Sequence, residues 1–184
     1  NISDKEALQN LVDETRKAFG RIDVLVCNAA SNPYYGPMAG ISDEQFRKIL
    51  DNNVIANHWL IAMVAPEMLE RGEGSIIIVS SIGGLTSSTM IGAYNLSKAG
   101  VRSYTESLAH ALREESGGRI AAHLVLPGFT RSGMTGEAEG AWTADQVAAF
   151  MLESIARGEF YILCPDNDVD RATDEKRMRW AMDD

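Results

Sequence analysis

The chain has 184 residues, 45% of them hydrophobic, with 17 basic and 26 acidic side chains and a formal net charge of −9. That length supports one domain with a real core, and an acidic balance without a basic stripe excludes a nucleic-acid backbone as partner. No apolar run approaches the roughly 20 residues of a membrane span, and the amino terminus carries no signal-peptide pattern, so a cytoplasmic protein without a membrane partner is expected.

Taken in order, Ser3-Asp4-Lys5-Glu6 reads as a capping box, and Leu8, Leu11, Val12, Thr15, Ala18 and Phe19 follow at helical spacing until Gly20. Ile22 to Asn28 is apolar without alternation, the pattern of a strand covered on both faces. Asn32-Pro33-Tyr34-Tyr35-Gly36-Pro37 is a loop. Ser42-Asp43-Glu44-Gln45 caps a long helix running to Met68, with Pro66 kinking it or marking its final turns. Arg71-Gly72-Glu73-Gly74 closes that helix, and Ser75 to Ser80 is a buried strand. A helix from Tyr94 to Glu114 ends at Gly117-Gly118, and the strand Arg119–Leu126 turns at Pro127. Thr130 to Trp142 reads as a glycine-rich loop, Thr143 caps a helix through Ile155, and Glu159 to Cys164 is the last strand. The charged tail, 166–184, is expected to be helical, with Met178 and Trp180 as docking residues for a single domain whose sheet and helices occupy 1–165. Alternating strands and helices imply a parallel sheet of about four strands with right-handed crossovers. Cys27 and Cys164 sit in apolar strands and read as small buried hydrophobes. His58, His110 and His123 show no metal-ligand spacing, and no metal is expected.

The stretch with chemical content is Ser80-Ser81-Ile82-Gly83-Gly84, followed by Tyr94-Asn95-Leu96-Ser97-Lys98. Tyr94 and Lys98 are one helical turn apart and share a face. A serine at a strand's carboxyl end, facing that pair, stands where open α/β sheets build their sites. A lysine ammonium beside a phenol favours the phenolate and would lower a pKa that is otherwise about 10. Tyr34 and Tyr35 follow the strand ending at Asn28; each could line a substrate pocket or simply pack its own loop.

These residues resemble the short-chain dehydrogenase/reductase family. Serine followed thirteen residues later by Y-x-x-x-K is its site pattern, and Asp23-Val24-Leu25-Val26-Cys27-Asn28-Ala29-Ala30 is similar to its D-x-L-V-N-N-A-G strand. Asn53-Val54 and Pro127-Gly128 match its helix asparagine and its P-G turn in the same order. The resemblance implies a Rossmann-like sheet and an oxidoreductase interconverting a small alcohol and a carbonyl with NADP or NAD. It implies catalytic roles for Ser81, Tyr94, Lys98 and Asn53, with Asn53 anchoring a water that connects Lys98 to solvent. It places Asn28, Tyr94, Lys98, Pro127, Gly128, Thr130 and Ser132 against the cofactor; Gly83 joins Tyr34 and Tyr35 as a candidate for the substrate pocket.

Two departures qualify the resemblance. Cys27 and Ala30 replace the usual asparagine and glycine, and the T-G-x-x-x-G-x-G turn that holds the pyrophosphate occurs nowhere in these residues. The fold expected is therefore a truncated one, with Ile22–Asn28 as a bare apolar edge that recruits a partner, a second copy included. The two long helices offer another self-association surface. The segments Pro127–Thr130 and Phe160–Asn167 resemble a different subgroup from the first part, which looks more like carbonyl or retinal reductases, so a fusion of two members stays open. Two other functions are also compatible with the residues. One is a cofactor-free serine hydrolase or esterase using Ser81 with Tyr94 and Lys98, its oxyanion donors near Gly83 and Gly84; the other is a non-catalytic interaction module.

Overall fold

The structure, a computed structural model, describes residues 1–133, 136, 139–166 and 169–183, the last four by backbone alone. Helix α1 (Lys5–Phe19) starts one residue later than the expected capping box implies. Asp4 is its N-cap, and its carboxylate accepts from the N–H groups of Glu6 and Ala7. An ionised side chain at that end answers orphan donors and the helix dipole together.

Strands β1 (Val24–Cys27), β2 (Gly74–Val79), β3 (Ile120–Pro127) and β4 (Tyr161–Cys164) form one parallel sheet in the order β1-β2-β3-β4. Alternation along each strand sorts side chains between two faces. On one face Leu25, Cys27, Ile76, Ile78 and Ala122 pack with Val12 of α1, Ile61, Val64 and Met68 of α3 (Ala56–Arg71), and Val101 and Leu112 of α4 (Gly92–Ser116). On the other, Ile77, Val125, Ile162 and Cys164 meet Val147, Phe150 and Met151 of α5 (Ala144–Ala156). The first face continues into Leu124, Leu126 and Leu163, where Met178 of α6 (Arg171–Asp183) docks as expected. The expectation for Trp180 lies outside the described side chains.

Two expectations are corrected. Strand β1 is covered on one face only: Leu25 and Cys27 are buried, whereas Val24 and Val26 are 51% and 48% exposed. An unbroken apolar run cannot reveal which face lacks a cover. The helix expected from Ser42 to Met68 runs without a break from Asp43 to Arg71, but it is not α-helical throughout. Asp43–Leu50 (α2), capped by the Ser42–Gln45 box, gives way to a π-helical segment, Asp51–Ile55, before α3 begins. Pro66 lies inside α3, which runs on to Arg71. The π segment turns Asn52 and Asn53 inward, both buried, and such insertions often occur at functional sites.

Candidate active site

Ser81, Tyr94 and Lys98 converge at the carboxyl end of β2. The Ser81 side chain lies near enough to the Tyr94 phenol to favour its ionised form. Lys98 Nζ lies 5.7 Å from the centre of the Tyr94 ring and donates to the Val79 carbonyl at 2.8 Å. The lysine backbone is held too, since Ser80 Oγ donates to the Lys98 carbonyl at 2.8 Å. Where the chain leaves β2, a Cβ added at Gly84 would lie 2.8 Å from the Lys98 carbonyl group, so only glycine lets the loop pass so close to α4. Lys98 is thus tied to the strand end by main chain and side chain alike.

Asn53 sits beside this cluster and binds it to the end of β1. Its Oδ1 accepts from Ser31 N at 2.8 Å, while its Nδ2 donates to the Ser31 carbonyl at 3.1 Å and to Ser97 Oγ at 3.0 Å. Ser97 donates in turn to the Tyr94 carbonyl at 2.7 Å. The Asn53 carbonyl accepts from Asn57 Nδ2 at 2.9 Å. Sequence reasoning missed Ser31 and Ser97, although Ser97 lies inside Y-x-x-x-K and Ser31 directly follows Asn28-Ala29-Ala30.

The electrostatics differ from expectation. Burial raises the Tyr94 pKa above 10.0, and the Ser81 side chain only partly offsets it. Burial also lowers Lys98 from 10.5 to about 8. Desolvation therefore outweighs the attraction between phenolate and ammonium, because both charged forms lose water in the same enclosed site. At neutral pH the pair rests as phenol and ammonium, the forms needed to deliver a proton.

Of the remaining predicted residues, Asn28 is exposed just past the end of β1, and Pro127 and Gly128 lie where β3 ends. Gly128 N donates to the Cys164 carbonyl at 3.0 Å, and Thr130 Oγ1 to the Gly128 carbonyl at 3.2 Å. Ser132 is exposed in the following loop, bridged to Gly136. These residues share the carboxyl end of the sheet with the cluster. Tyr34 closes its own loop by donating to the Pro37 carbonyl at 2.8 Å, and Tyr35 is 75% exposed. A cleft of about 250 Å³ is lined by Gly83, Leu85, Ser88, Asn95, Leu96 and Ala99 among others, yet by none of Ser81, Tyr94 and Lys98. The Ser81, Tyr94 and Lys98 cluster lies beside this cleft.

The expected oxyanion donors are already engaged. Gly83 N–H donates to Ser81 Oγ at 3.1 Å, and Gly84 N–H to the Ser81 carbonyl at 2.9 Å. Neither faces an incoming acyl oxygen, which leaves the hydrolase reading without its donor pair. Both thiols, Cys27 and Cys164, are buried and pushed up to about 12, consistent with packing. Among the described residues no group of three metal-ligating side chains occurs, and no helix is long and apolar enough to cross a membrane.

A parallel sheet flanked by helices, with serine, tyrosine and lysine meeting at its carboxyl end, defines a Rossmann-like α/β protein. The family profile described as short chain dehydrogenase matches residues 1–141. The chain belongs to the short-chain dehydrogenase/reductase family. It is 36% identical over 132 residues to dehydrogenase/reductase SDR family member 4 of Bos taurus, which covers 72% of this chain and 46% of that protein. Thus the chain spans about half the length of the curated relatives it matches. A Burkholderia phymatum short-chain dehydrogenase/reductase solved in complex with NAD superposes with a TM-score of 0.80 at 28% identity, over 89% of this chain and 68% of its own. A metagenomic short-chain oxidoreductase solved with NADP gives a TM-score of 0.72 at 26% identity, over 89% of this chain and 70% of its own.

Proposed function

We propose that this chain carries the catalytic portion of an oxidoreductase that interconverts a small alcohol and a carbonyl with NADP or NAD. One observation carries the reading: the Ser81 side chain neighbours the Tyr94 phenol, and the Lys98 ammonium lies 5.7 Å from the centre of the phenol ring. Lys98 Nζ has three donors and gives one to Val79. That leaves donors suited to the hydroxyls of a ribose, and Asn28 and the Pro127–Thr130 turn lie along the same sheet end. These residues fit the nicotinamide–ribose part of the cofactor. No glycine-rich turn among the 184 residues fits the pyrophosphate.

A bound nicotinamide would supply or accept the hydride. In the reducing direction the carbonyl carbon gains that hydride while its oxygen takes the Tyr94 proton, giving the alcohol and the oxidised cofactor. Ser81 would hydrogen-bond the same oxygen and orient it. Lys98, charged below about pH 8, would stabilise the phenolate left behind. Asn53 would hold the Ser31 turn and α4 in register rather than act on substrate. The bare edge of β1 would pair with a second copy or with another chain.

The test is titration with NADH and NADPH followed by turnover of a panel of small ketones. Saturable binding is expected, with turnover reduced about 10²–10⁴-fold in Tyr94→Phe. Equal turnover by Tyr94→Phe would refute the assignment.

A further inference from the structure

Asn95, the residue after Tyr94, is 6% exposed, and its Oδ1 is buried without a hydrogen-bond partner among the described residues. An orphaned buried acceptor costs stability, so its retention needs a reason. The reason lies in what the amide spans. Its Nδ2 donates to the Ser88 carbonyl at 3.2 Å, while its Oδ1 end abuts Gly83, where an added Cβ would come within 2.7 Å of it. Gly83 is the residue whose N–H fixes Ser81 Oγ at 3.1 Å. The amide is therefore wedged between the two ends of the 83–88 loop.

Helical geometry explains why this position is suited to the task. Successive helix residues point about 100° apart. Tyr94 therefore meets the loop at Ser81, and Asn95 meets it from the flank at Gly83 and Ser88. A shorter side chain would leave a void beside Gly83 and a carbonyl without its donor. An apolar side chain of similar size would fill the notch but lose Ser88. A glycine at 83 and an amide at 95 form a complementary pair, because a methyl group at 83 and the amide oxygen cannot occupy the same space.

We propose that Asn95 is a positioning residue that holds the 83–88 loop so that the Ser81 hydroxyl meets the Tyr94 phenol. This rests on the reading of Ser81 and Tyr94 given above, but its test does not use turnover. The probe is fluorotyrosine-labelled protein without cofactor, with the Tyr94 resonance assigned by its loss in Tyr94→Phe and its titration followed by ¹⁹F NMR.

Losing the Ser81 hydroxyl removes a contribution that lowers the Tyr94 pKa. Ser81→Ala should therefore move the midpoint upward by roughly half to one pH unit, the value of one hydrogen bond. Asn95→Ala should move it in the same direction, and should add nothing further in a Ser81→Ala background. An unchanged midpoint in Asn95→Ala, or an undiminished shift in the double variant, overturns the proposal. Should Asn95→Ala fail to fold by circular dichroism, Gly83→Ala decides the matter: the same upward shift supports the wedge, and an unchanged midpoint overturns it. A chain that shifts as expected but turns over no ketone would refute the oxidoreductase reading alone.

Discussion

Replacing Asn53 by alanine should destabilise the chain by about 3 kcal/mol. The side chain makes three hydrogen bonds, at 2.8 Å and 3.1 Å to Ser31 and 3.0 Å to Ser97. Each such bond contributes about 1 kcal/mol net. Ser31 is half-buried, so water can replace its two bonds in part; Ser97 is fully buried, and its hydroxyl still has the Tyr94 carbonyl. Full desolvation costs are therefore not added for the groups left behind. For a chain of this size 1 kcal/mol moves the melting temperature by about 2–4 °C, so a drop of roughly 6–12 °C is expected. Urea melts of wild type, Asn53→Ala and Asn53→Asp provide the assay. Asp keeps an acceptor for Ser31 N but buries a carboxylate against the Ser31 carbonyl at a fully buried position, so it should recover none of the loss. A cost below about 1 kcal/mol for Asn53→Ala would refute the idea that this side chain ties β1 to α4.

Lys98→Met should stabilise the chain at neutral pH. The lysine's folded pKa is lowered from 10.5 to about 8, so between those values the unfolded chain binds the extra proton and stability rises with pH, being lowest below about 8. Removing the charge should add about 2 kcal/mol at pH 7 after losing the bond to Val79, and the gain should vanish toward pH 10. Equal destabilisation by Lys98→Met at both pH values in urea melts would count against this. Val26→Lys places a charge on the 48% exposed, uncovered face of β1. Wild type should scatter light as an assembly at micromolar concentration, and Val26→Lys should shift it toward monomer with an unchanged melt; a monomeric wild type refutes pairing at this strand.

Much of the fold could be read from the residues because β2 and β3 are apolar runs ended by glycine or proline, and the helices carry clear caps such as Ser42–Gln45 and Thr143–Gln146. The π segment at Asp51–Ile55 could not, because Ile49, Leu50 and Val54 keep a spacing compatible with ordinary helix. The one-sided cover of β1 was hidden for the opposite reason: Val-Leu-Val-Cys has no polar residue to mark the uncovered face. In the site, Ser81, Tyr94 and Lys98 were legible from spacing, but the direction of the Tyr94 shift was not. It depends on how much water the folded chain removes, a quantity that spacing does not carry. Ser31 meets Asn53 through its backbone, and Ser97 and Asn95 each donate to a backbone carbonyl, partners that side-chain type does not reveal.

The central claim is that one serine, one phenol and one ammonium work together on a carbonyl oxygen. The most direct measurement is transfer of deuterium from C4-deuterated NADH or NADPH to a small ketone, read by mass spectrometry of the product alcohol. The account predicts deuterated alcohol from wild type and a loss of about 10²–10⁴-fold in Tyr94→Phe. Undiminished labelling by Tyr94→Phe, or no labelled alcohol from wild type with either cofactor, would contradict it.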